Sequence, residues 1–275
     1  NRPMTETALR ICPFCEATCG LTLTIDDGRV TGARGDRDDV FSAGFICPKG
    51  ASFAELDNDP DRLHAPLVRQ DGVLTEATWD EAFAAVADGL GAVVREHGGE
   101  SMGVYLGNPN AHTVAGALYP PLIVRALGTH QVYSASTLDQ MPKHVALGLM
   151  FGSPVAFTVP DLDRTDYLVI IGANPLVSNG SLATAADFPG KLRSLRKRGG
   201  TLVVIDPART RTAELADRHV APRPGTDAAL LFAVVHVLFE EDLVTLGHLA
   251  DHVAGLDEVR ELARDFAPET VAAHC

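Results

Sequence analysis

Four cysteines decide what the N-terminal part of this chain can fold around. Cys12, Cys15, Cys19 and Cys47 read Cys-x2-Cys-x3-Cys-x27-Cys, and the last stands in Ile46-Cys47-Pro48-Lys49-Gly50. Three thiols inside eight residues are too crowded to pair usefully among themselves. They can wrap one face of a compact inorganic group, with the fourth thiolate arriving from a distant loop. Thiolate is the ligand that iron–sulfur clusters and zinc select. Zinc ribbons bring their ligands as two symmetrical Cys-x2-Cys pairs. The three-plus-one spacing here favours a [4Fe-4S] cluster over structural zinc, and four unrelated buried cysteines fit it poorly.

The remaining residues are those of a globular α/β chain. At 275 residues there is enough apolar material for one large or two ordinary domains. A net charge of −13 disfavours a nucleic-acid partner held through phosphates. No apolar run reaches 18 residues, so no membrane span is expected. Asn1-Arg2-Pro3-Met4 shows neither an apolar signal core nor a twin-arginine pair, with Met4 a candidate natural start. Reduced cysteines used as ligands fit a cytoplasmic protein. Cys275 is terminal and alone, and no ligand role is expected for it. Phe266-Ala267-Pro268-Glu269-Thr270-Val271 opens another capped helix just before the sequence stops, as in the N-terminal portion of a longer enzyme.

Leu21–Ile25 alternates, Asp26-Asp27-Gly28 turns and Arg29–Ala33 alternates again, which predicts a hairpin inside the loop between Cys19 and Cys47. Residues 57–72 read as a Pro- and Asp-rich connector. Thr78 with Glu81 makes a capping box that opens a helix to about His97, stopped at Gly98-Gly99. Strands are expected over Met102–Leu106, Tyr167–Ile171 and Thr201–Ile205. Helices are expected over 112–127, where Pro120-Pro121 must kink or break the segment, and over 189–198 and 227–240. Fully apolar strands alternating with helices imply parallel pairing in a doubly wound α/β layer.

Ligands of open parallel sheets bind beyond the carboxyl ends of the strands. Three such ends carry polar or glycine-rich turns: Gly107-Asn108, Gly172-Ala173-Asn174 and Asp206-Pro207-Ala208-Arg209-Thr210. Glycine lets a phosphate approach the backbone, and free N–H groups at the next helix start can hold it. Asp206 and Asp227 are candidates to accept hydrogen bonds from a ribose or a guanine. The plainer role for Asn174, Asp206 and Asp227 is to cap turns and helices. Lys49 follows the fourth cysteine by two residues, where it can bridge a cluster's sulfur environment and an anionic cofactor. His112 follows a strand-end loop and could face a cofactor, and His144 lies about one helical turn from Asp139. His97, His219, His236 and His248 read as helix-end or helix-face residues. No Gly-x-Gly-x-x-Gly follows any strand, so the ordinary NAD-binding fingerprint is absent.

The cysteine spacing with its following Lys-Gly resembles the N-terminal iron–sulfur domain of the molybdopterin oxidoreductases, which include formate dehydrogenases, nitrate reductases and dimethyl sulfoxide reductase. Asp61-Arg62-Leu63, Pro66-Leu67 and Trp79-Asp80-Glu81-Ala82 continue the likeness. So do Val204-Ile205-Asp206-Pro207 with Arg209 and Thr210, and Pro224-Gly225-Thr226-Asp227-Ala228-Ala229-Leu230. The resemblance implies a small β-rich iron–sulfur domain over 1–58, a first α/β segment over 59–130 and a Rossmann-like pterin-cofactor domain over 131–275, truncated at its C-terminus. It implies a molybdenum or tungsten bis-molybdopterin guanine dinucleotide cradled by Asn108, Gly172, Asn174, Asp206, Arg209, Thr210, Gly225 and Asp227. Asp206 and Asp227 would sit near its nucleotide end, and Lys49 would lie in the electron path between pterin and cluster.

In that family a Cys, selenocysteine, Ser or Asp at a helix start ligates the metal. Asp139-Gln140-Met141-Pro142, followed by Val145-Ala146 and ending at Phe151-Gly152, puts Asp139 on the ligand position, Gln140 on the histidine of formate dehydrogenases and Pro142 on their proline. Ser136 or Thr137 would take the role after a small register slip, and helix capping is the bland alternative for Asp139. The missing Cys and His argue against formate oxidation, and the aspartate leans toward oxyanion reduction, with nitrate the obvious candidate. The implied activity is two-electron redox chemistry on a small-molecule substrate, with a redox partner or an additional electron-transfer subunit taking the electrons. Two other readings are an electron-relay module resembling the large iron–sulfur subunit of respiratory complex I, and a non-redox hydratase resembling acetylene hydratase.

Overall fold

A computed structural model describes residues 5–275, so the expectation placed on Asn1–Met4 lies outside the described residues. The chain divides into two compact units, one of Asn1–Pro160 with Asn179–Pro189 and one of Asp161–Ser178 with Gly190–Cys275.

The first unit opens with a three-stranded antiparallel sheet of β1 (Thr5–Ile11), β2 (Gly20–Asp26) and β3 (Arg29–Gly35). Asp27 and Gly28 both have positive φ, 48° and 77°, the backbone a tight primed hairpin turn demands, so the expected hairpin forms. β1 was not foreseen. It pairs with β2 along its whole length, from Thr5 opposite Asp26 to Ile11 opposite Gly20. The inward residues of β2 are Leu21 and Leu23, which share a small core with Cys12, Ala17, Cys19 and Phe53. A four-residue helix, Pro48–Ala51, and the helix Phe53–Asp57 pack against β3.

The stretch read as a connector over 57–72 ends in a second hairpin, β4 (Leu67–Gln70) with β5 (Val73–Glu76). Its turn is again Asp-Gly: Asp71 at φ 48° and Gly72 at φ 86°. Beyond it the capping box forms in both directions. Thr78 Oγ1 accepts from the Glu81 amide at 3.3 Å, the Glu81 carboxylate accepts from the Thr78 amide at 2.8 Å, and the helix runs Trp79–His97.

β6 (Val104–Leu106) and β7 (Val132–Ser134) form a parallel pair joined by the helix Val114–Leu127. Of the kink or break expected at Pro120 and Pro121, the break does not occur, and the helix is continuous through both. Each proline removes one i→i−4 bond without ending the turn pattern. The helix Met141–Phe151 follows β7 and stops at Gly152 in the left-handed region.

The second unit is built on a parallel sheet in the order β10-β9-β8, with β8 (Tyr167–Ile171), β9 (Thr201–Ile205) and β10 (Arg218–Val220). β8 and β9 fall where expected, and the short β10 was unforeseen. Leu202, Val203 and Val204 of β9 are buried, as are Leu192 and Leu195 of the preceding helix. Gly199, at φ 85°, ends that helix, and Gly200 lets Leu195 lie where any side chain at 200 would clash. The helix Asp227–Glu240 packs against Leu256–Ala263 and Pro268–Ala272, with Phe232 stacked on Phe266 at 4.9 Å. Parallel strands joined by helices, together with a β-rich N-terminal lobe, make this the α/β fold the sequence implied. No helix among the described residues is long and apolar enough to cross a membrane.

Candidate functional site

The cysteine loop is a β-hairpin end. Beyond the Ile11–Gly20 pair the ladder gains one more rung, with the Cys12 amide donating to the Cys19 carbonyl at 2.8 Å. The backbone therefore places Cys12 opposite Cys19 and sends Cys15 out on the loop between them. Thr18 closes that loop at φ 47°. Cys47 arrives from the other side and precedes the helix Pro48–Ala51. A Cβ on Gly50 would stand 3.0 Å from the Ile46 side chain and 3.7 Å from Cys12 Sγ, so glycine keeps this turn close to Cys12.

A brace holds the hairpin base. Ser42 is buried, its Oγ accepts from the Gly20 amide at 3.1 Å, and its own amide and hydroxyl both donate to Asp39 Oδ2 at 2.6 Å. Those bonds hold the Asp39 carboxyl below the usual carboxylate range, the Ser42 hydroxyl foremost. A side chain at Gly20 would sit 2.6 Å from Asp39 Cβ, so only glycine fits beside the brace.

All five cysteines are free. Burial pushes the Cys19 thiol from its ordinary 9.0 up to about 11, and the neighbouring thiols of Cys12, Cys15 and Cys47 add to the shift. Cys12 is also raised, first by burial, with the Phe14 backbone and Lys49 pulling the other way. These influences show the four thiols within electrostatic reach of one another and Lys49 within reach of Cys12. Among the described residues no three His, Cys, Asp or Glu side chains are placed to share one metal ion. A four-iron cluster offers a separate corner to each thiolate and does not ask for that convergence. The donor set fits such a cluster. Lys49 is exposed on its short helix.

The other candidates fall at two strand-end edges. In the first unit, Asn108 opens the 3-10 turn Asn108–His112 after β6, and Asp139 ends the short helix Ser136–Asp139 after β7. Because β6 and β7 are parallel, both follow the same edge of the pair. Asp139 is exposed, and no side chain caps the helix that begins at Met141, so the capping role is not used there. Thr137 Oγ1 is taken by the Ser134 carbonyl at 2.6 Å. His144 turns away to the Pro154 carbonyl, 2.7 Å, and the edge of Phe157.

In the second unit, Gly172, at φ 60°, leaves β8 with its amide bonded to the Ile205 carbonyl at 2.9 Å, and the Asp206 amide bonds to Val220 at 3.0 Å. These bonds carry the ladder one step past the strands, so the loops after β8, β9 and β10 leave from one edge. Asp206 Oδ1 accepts from the Ala208 amide at 2.8 Å, a turn-capping bond that still leaves its second oxygen available. Thr210 caps the helix Arg211–Leu215, while Arg209 is exposed. Gly225, at φ 84°, precedes Asp227, the exposed first residue of the helix Asp227–Glu240. His219 lies on β10 rather than a helix, its Nε2 2.8 Å from the Asp206 carbonyl.

Three residues that sequence reasoning did not single out organise these edges. Thr212, fully buried, donates to Asn174 Oδ1 at 2.7 Å and accepts from the Leu176 amide at 3.3 Å, tying the loop after β8 to the helix after β9. Ser42 makes the brace. Glu16, between Cys15 and Cys19, faces His112 with 3.9 Å between Oε2 and Nε2. Nothing in the local pattern marks Thr212 or Ser42, whose partners lie 38 and 22 residues away.

Comparison with known proteins completes the picture. The family model for molybdopterin oxidoreductase matches residues 62–245, and that for the molybdopterin oxidoreductase Fe4S4 domain matches residues 7–59. Among relatives, the F420-dependent formate dehydrogenase 1 subunit alpha of Methanococcus maripaludis is 28% identical over 94% of this chain and 37% of its own length. The nitrate reductase of Symbiobacterium thermophilum is 29% identical over 99% of this chain and 37% of its own. The chain thus spans a little over a third of the relatives it matches. Acetylene hydratase from Pelobacter acetylenicus shares the fold, with a TM-score of 0.78 at 24% identity, covering 97% of this chain and 36% of that one. The two domain matches point to a [4Fe-4S] cluster and a molybdenum- or tungsten-bound pterin as the cofactors. With both stretches matched in order along most of its length, this chain belongs to the molybdopterin oxidoreductase family.

Proposed function

We propose that this chain supplies the [4Fe-4S] lobe and part of the pterin cradle of an enzyme performing two-electron redox chemistry at molybdenum or tungsten, with nitrate the favoured substrate. The observation that carries the reading is the set of four free thiols, Cys12, Cys15, Cys19 and Cys47, gathered from two loops into one electrostatic neighbourhood. When bound, the bis-molybdopterin guanine dinucleotide supplies the bond chemistry at its metal, while the chain positions and tunes it. The four cysteine thiolates hold the cluster. Lys49, within electrostatic reach of Cys12, presents a cation toward an anionic cofactor. Gly172, Asn174, Asp206, Arg209, Thr210, Gly225 and Asp227 bind the dinucleotide at the strand ends of the second unit, and Asn108 is the candidate cofactor contact at the strand edge of the first. Asp139 is the side chain we assign to the molybdenum or tungsten, as a hard oxygen ligand.

Nitrate is favoured because Asp139 and Gln140 replace the Cys or selenocysteine and His of the formate pattern, and because a nitrate reductase matches 99% of this chain. Electrons would leave through the cluster to a redox partner or a further subunit. The Methanococcus maripaludis relative is itself named as a subunit. Five free cysteines fit a cytoplasmic setting.

Elemental analysis of the anaerobically purified full-length protein tests the reading. About four irons with matching sulfide and about one molybdenum or tungsten are expected, followed by nitrate reduction with a reduced artificial electron carrier. Iron and sulfide without either heavy metal would mark an electron-relay module instead. The fold shared with acetylene hydratase motivates a second reading, a non-redox hydratase. Substrate turnover needing no electron carrier would establish it.

A further inference from the structure

The His112 imidazole is 4% exposed, and its Nε2 has no hydrogen-bond partner among the described residues. A buried nitrogen left in this state is unfavourable, and folded proteins keep few of them. The charged group facing it is the carboxylate of Glu16, 3.9 Å away and itself 29% exposed. That separation is about 1 Å too long for a hydrogen bond. His112 is carried on the 3-10 turn Asn108–His112 after β6, a segment that supplies no thiol. Glu16 sits on the hairpin end between Cys15 and Cys19. It lies in a turn closed by the Thr18 amide donating to the Cys15 carbonyl at 3.3 Å, beyond the Cys12–Cys19 rung. The Glu16 side chain, 29% exposed, is the group that a small rotamer change brings within reach of Nε2.

We propose that His112 is a positioning residue for the [4Fe-4S] cluster: in the loaded protein its Nε2–H donates to Glu16 and fixes where that carboxylate stands beside Cys15. The inference rests on the reading that Cys12, Cys15, Cys19 and Cys47 hold the cluster. A negative charge beside a cluster opposes the arrival of an electron, and a hydrogen bond to that charge spreads it and weakens the opposition. His112 thus keeps the cluster easier to reduce than the bare carboxylate would allow. In iron–sulfur proteins, outer-shell hydrogen bonds of this kind set reduction potentials.

The test is a potentiometric titration of the cluster in the full-length, cofactor-loaded protein, followed by its electron paramagnetic resonance. His112→Leu is expected to lower the potential by 59 mV, a tenfold change in the one-electron reduction equilibrium. His112→Gln, whose amide nitrogen reaches the Nε2 position, is expected to keep the wild-type value. His112→Asn, which reaches only the Nδ1 position, is expected to behave as His112→Leu. Glu16→Gln removes the charge at constant size, so it should raise the potential and abolish the effect of His112→Leu in the double variant. Equal potentials and spectra for the Gln and Asn variants would overturn the proposal, and that comparison still decides if His112→Leu fails to fold. A wild-type protein without iron or a reduced-cluster signal would instead sink the underlying cluster reading.

Discussion

The cysteine lobe and the parallel sheet of the second unit solve the same problem with opposite materials. The sheet is held by hydrocarbon: Leu192, Leu195, Leu202 and Val204 are at most 1% exposed, and no ligand is needed to explain why they stay inside. Among the described residues the lobe has a hydrophobic core of six buried side chains, and two of them, Cys12 and Cys19, are the proposed metal ligands. Its burial and its chemistry cannot be separated. A surface used for binding is ordinarily laid over an independent core, whereas here removing the cofactor removes part of the core's purpose. The lobe should therefore respond to metal as a folding event, and the sheet should respond only to packing.

The strongest way to break that contrast is to take the ligands away. Cys19→Ala should abolish iron and sulfide incorporation and remove amide-exchange protection from β1 and β2, while protection over Leu202–Val204 stays unchanged. Exchange mass spectrometry reads both, and equal loss in the two regions would refute the contrast. Next in size is Leu202→Ala, expected to cost about 2–5 kcal/mol in denaturant unfolding while leaving the iron content intact.

A third lever is pH acting on the metal-free protein. The folded state raises the Cys19 thiol from 9.0 to about 11, so folding favours the protonated form. That stabilisation is fully present below pH 9 and is lost as the pH rises through 11, on the order of 2–3 kcal/mol. Unfolding curves at pH 8 and pH 11 should show the loss in the lobe, and loading with the cluster should erase it, because a bound thiolate has already released its proton. Ser42→Ala, which orphans the Gly20 amide, should cost about 1–3 kcal/mol and speed iron release to a chelator. Thr212→Val should cost a similar amount in the second unit without touching iron release. Smallest is Thr78→Ala, about 1 kcal/mol from the lost helix cap, with no change in iron.

Legibility in the sequence followed the range of the interaction. The helix at Trp79, the hairpin at Asp27-Gly28 and the strands Tyr167–Ile171 and Thr201–Ile205 are written in residues that touch their near neighbours, and all were readable. The second hairpin carries the same Asp-Gly signal at Asp71-Gly72 and was passed over because Pro and Asp residues before it read as a connector. β1 and β10 were missed for a different reason. Thr5–Ile11 carries little apolar alternation and exists as a strand because β2 offers it a ladder. Arg218–Val220 is three residues long and is held by β9. The four cysteines were legible because metal ligation imposes a spacing. Their surroundings were legible only in part: His112 stood out as a possible cofactor-facing residue, but its pairing with Glu16, 96 residues away, and the Ser42 brace, 22 residues from Gly20, are encoded by no local pattern.

The bond from the Cys12 amide to the Cys19 carbonyl has a consequence for how the protein folds. Cys12, Cys15 and Cys19 stand on one local hairpin, with β2 ending at Asp26, whereas Cys47 comes from beyond the loop that follows β3. Three of the four thiols are thus ordered by short-range contacts and the fourth by a long-range one, so refolding of the metal-free lobe should form the three-thiol hairpin before Cys47 docks.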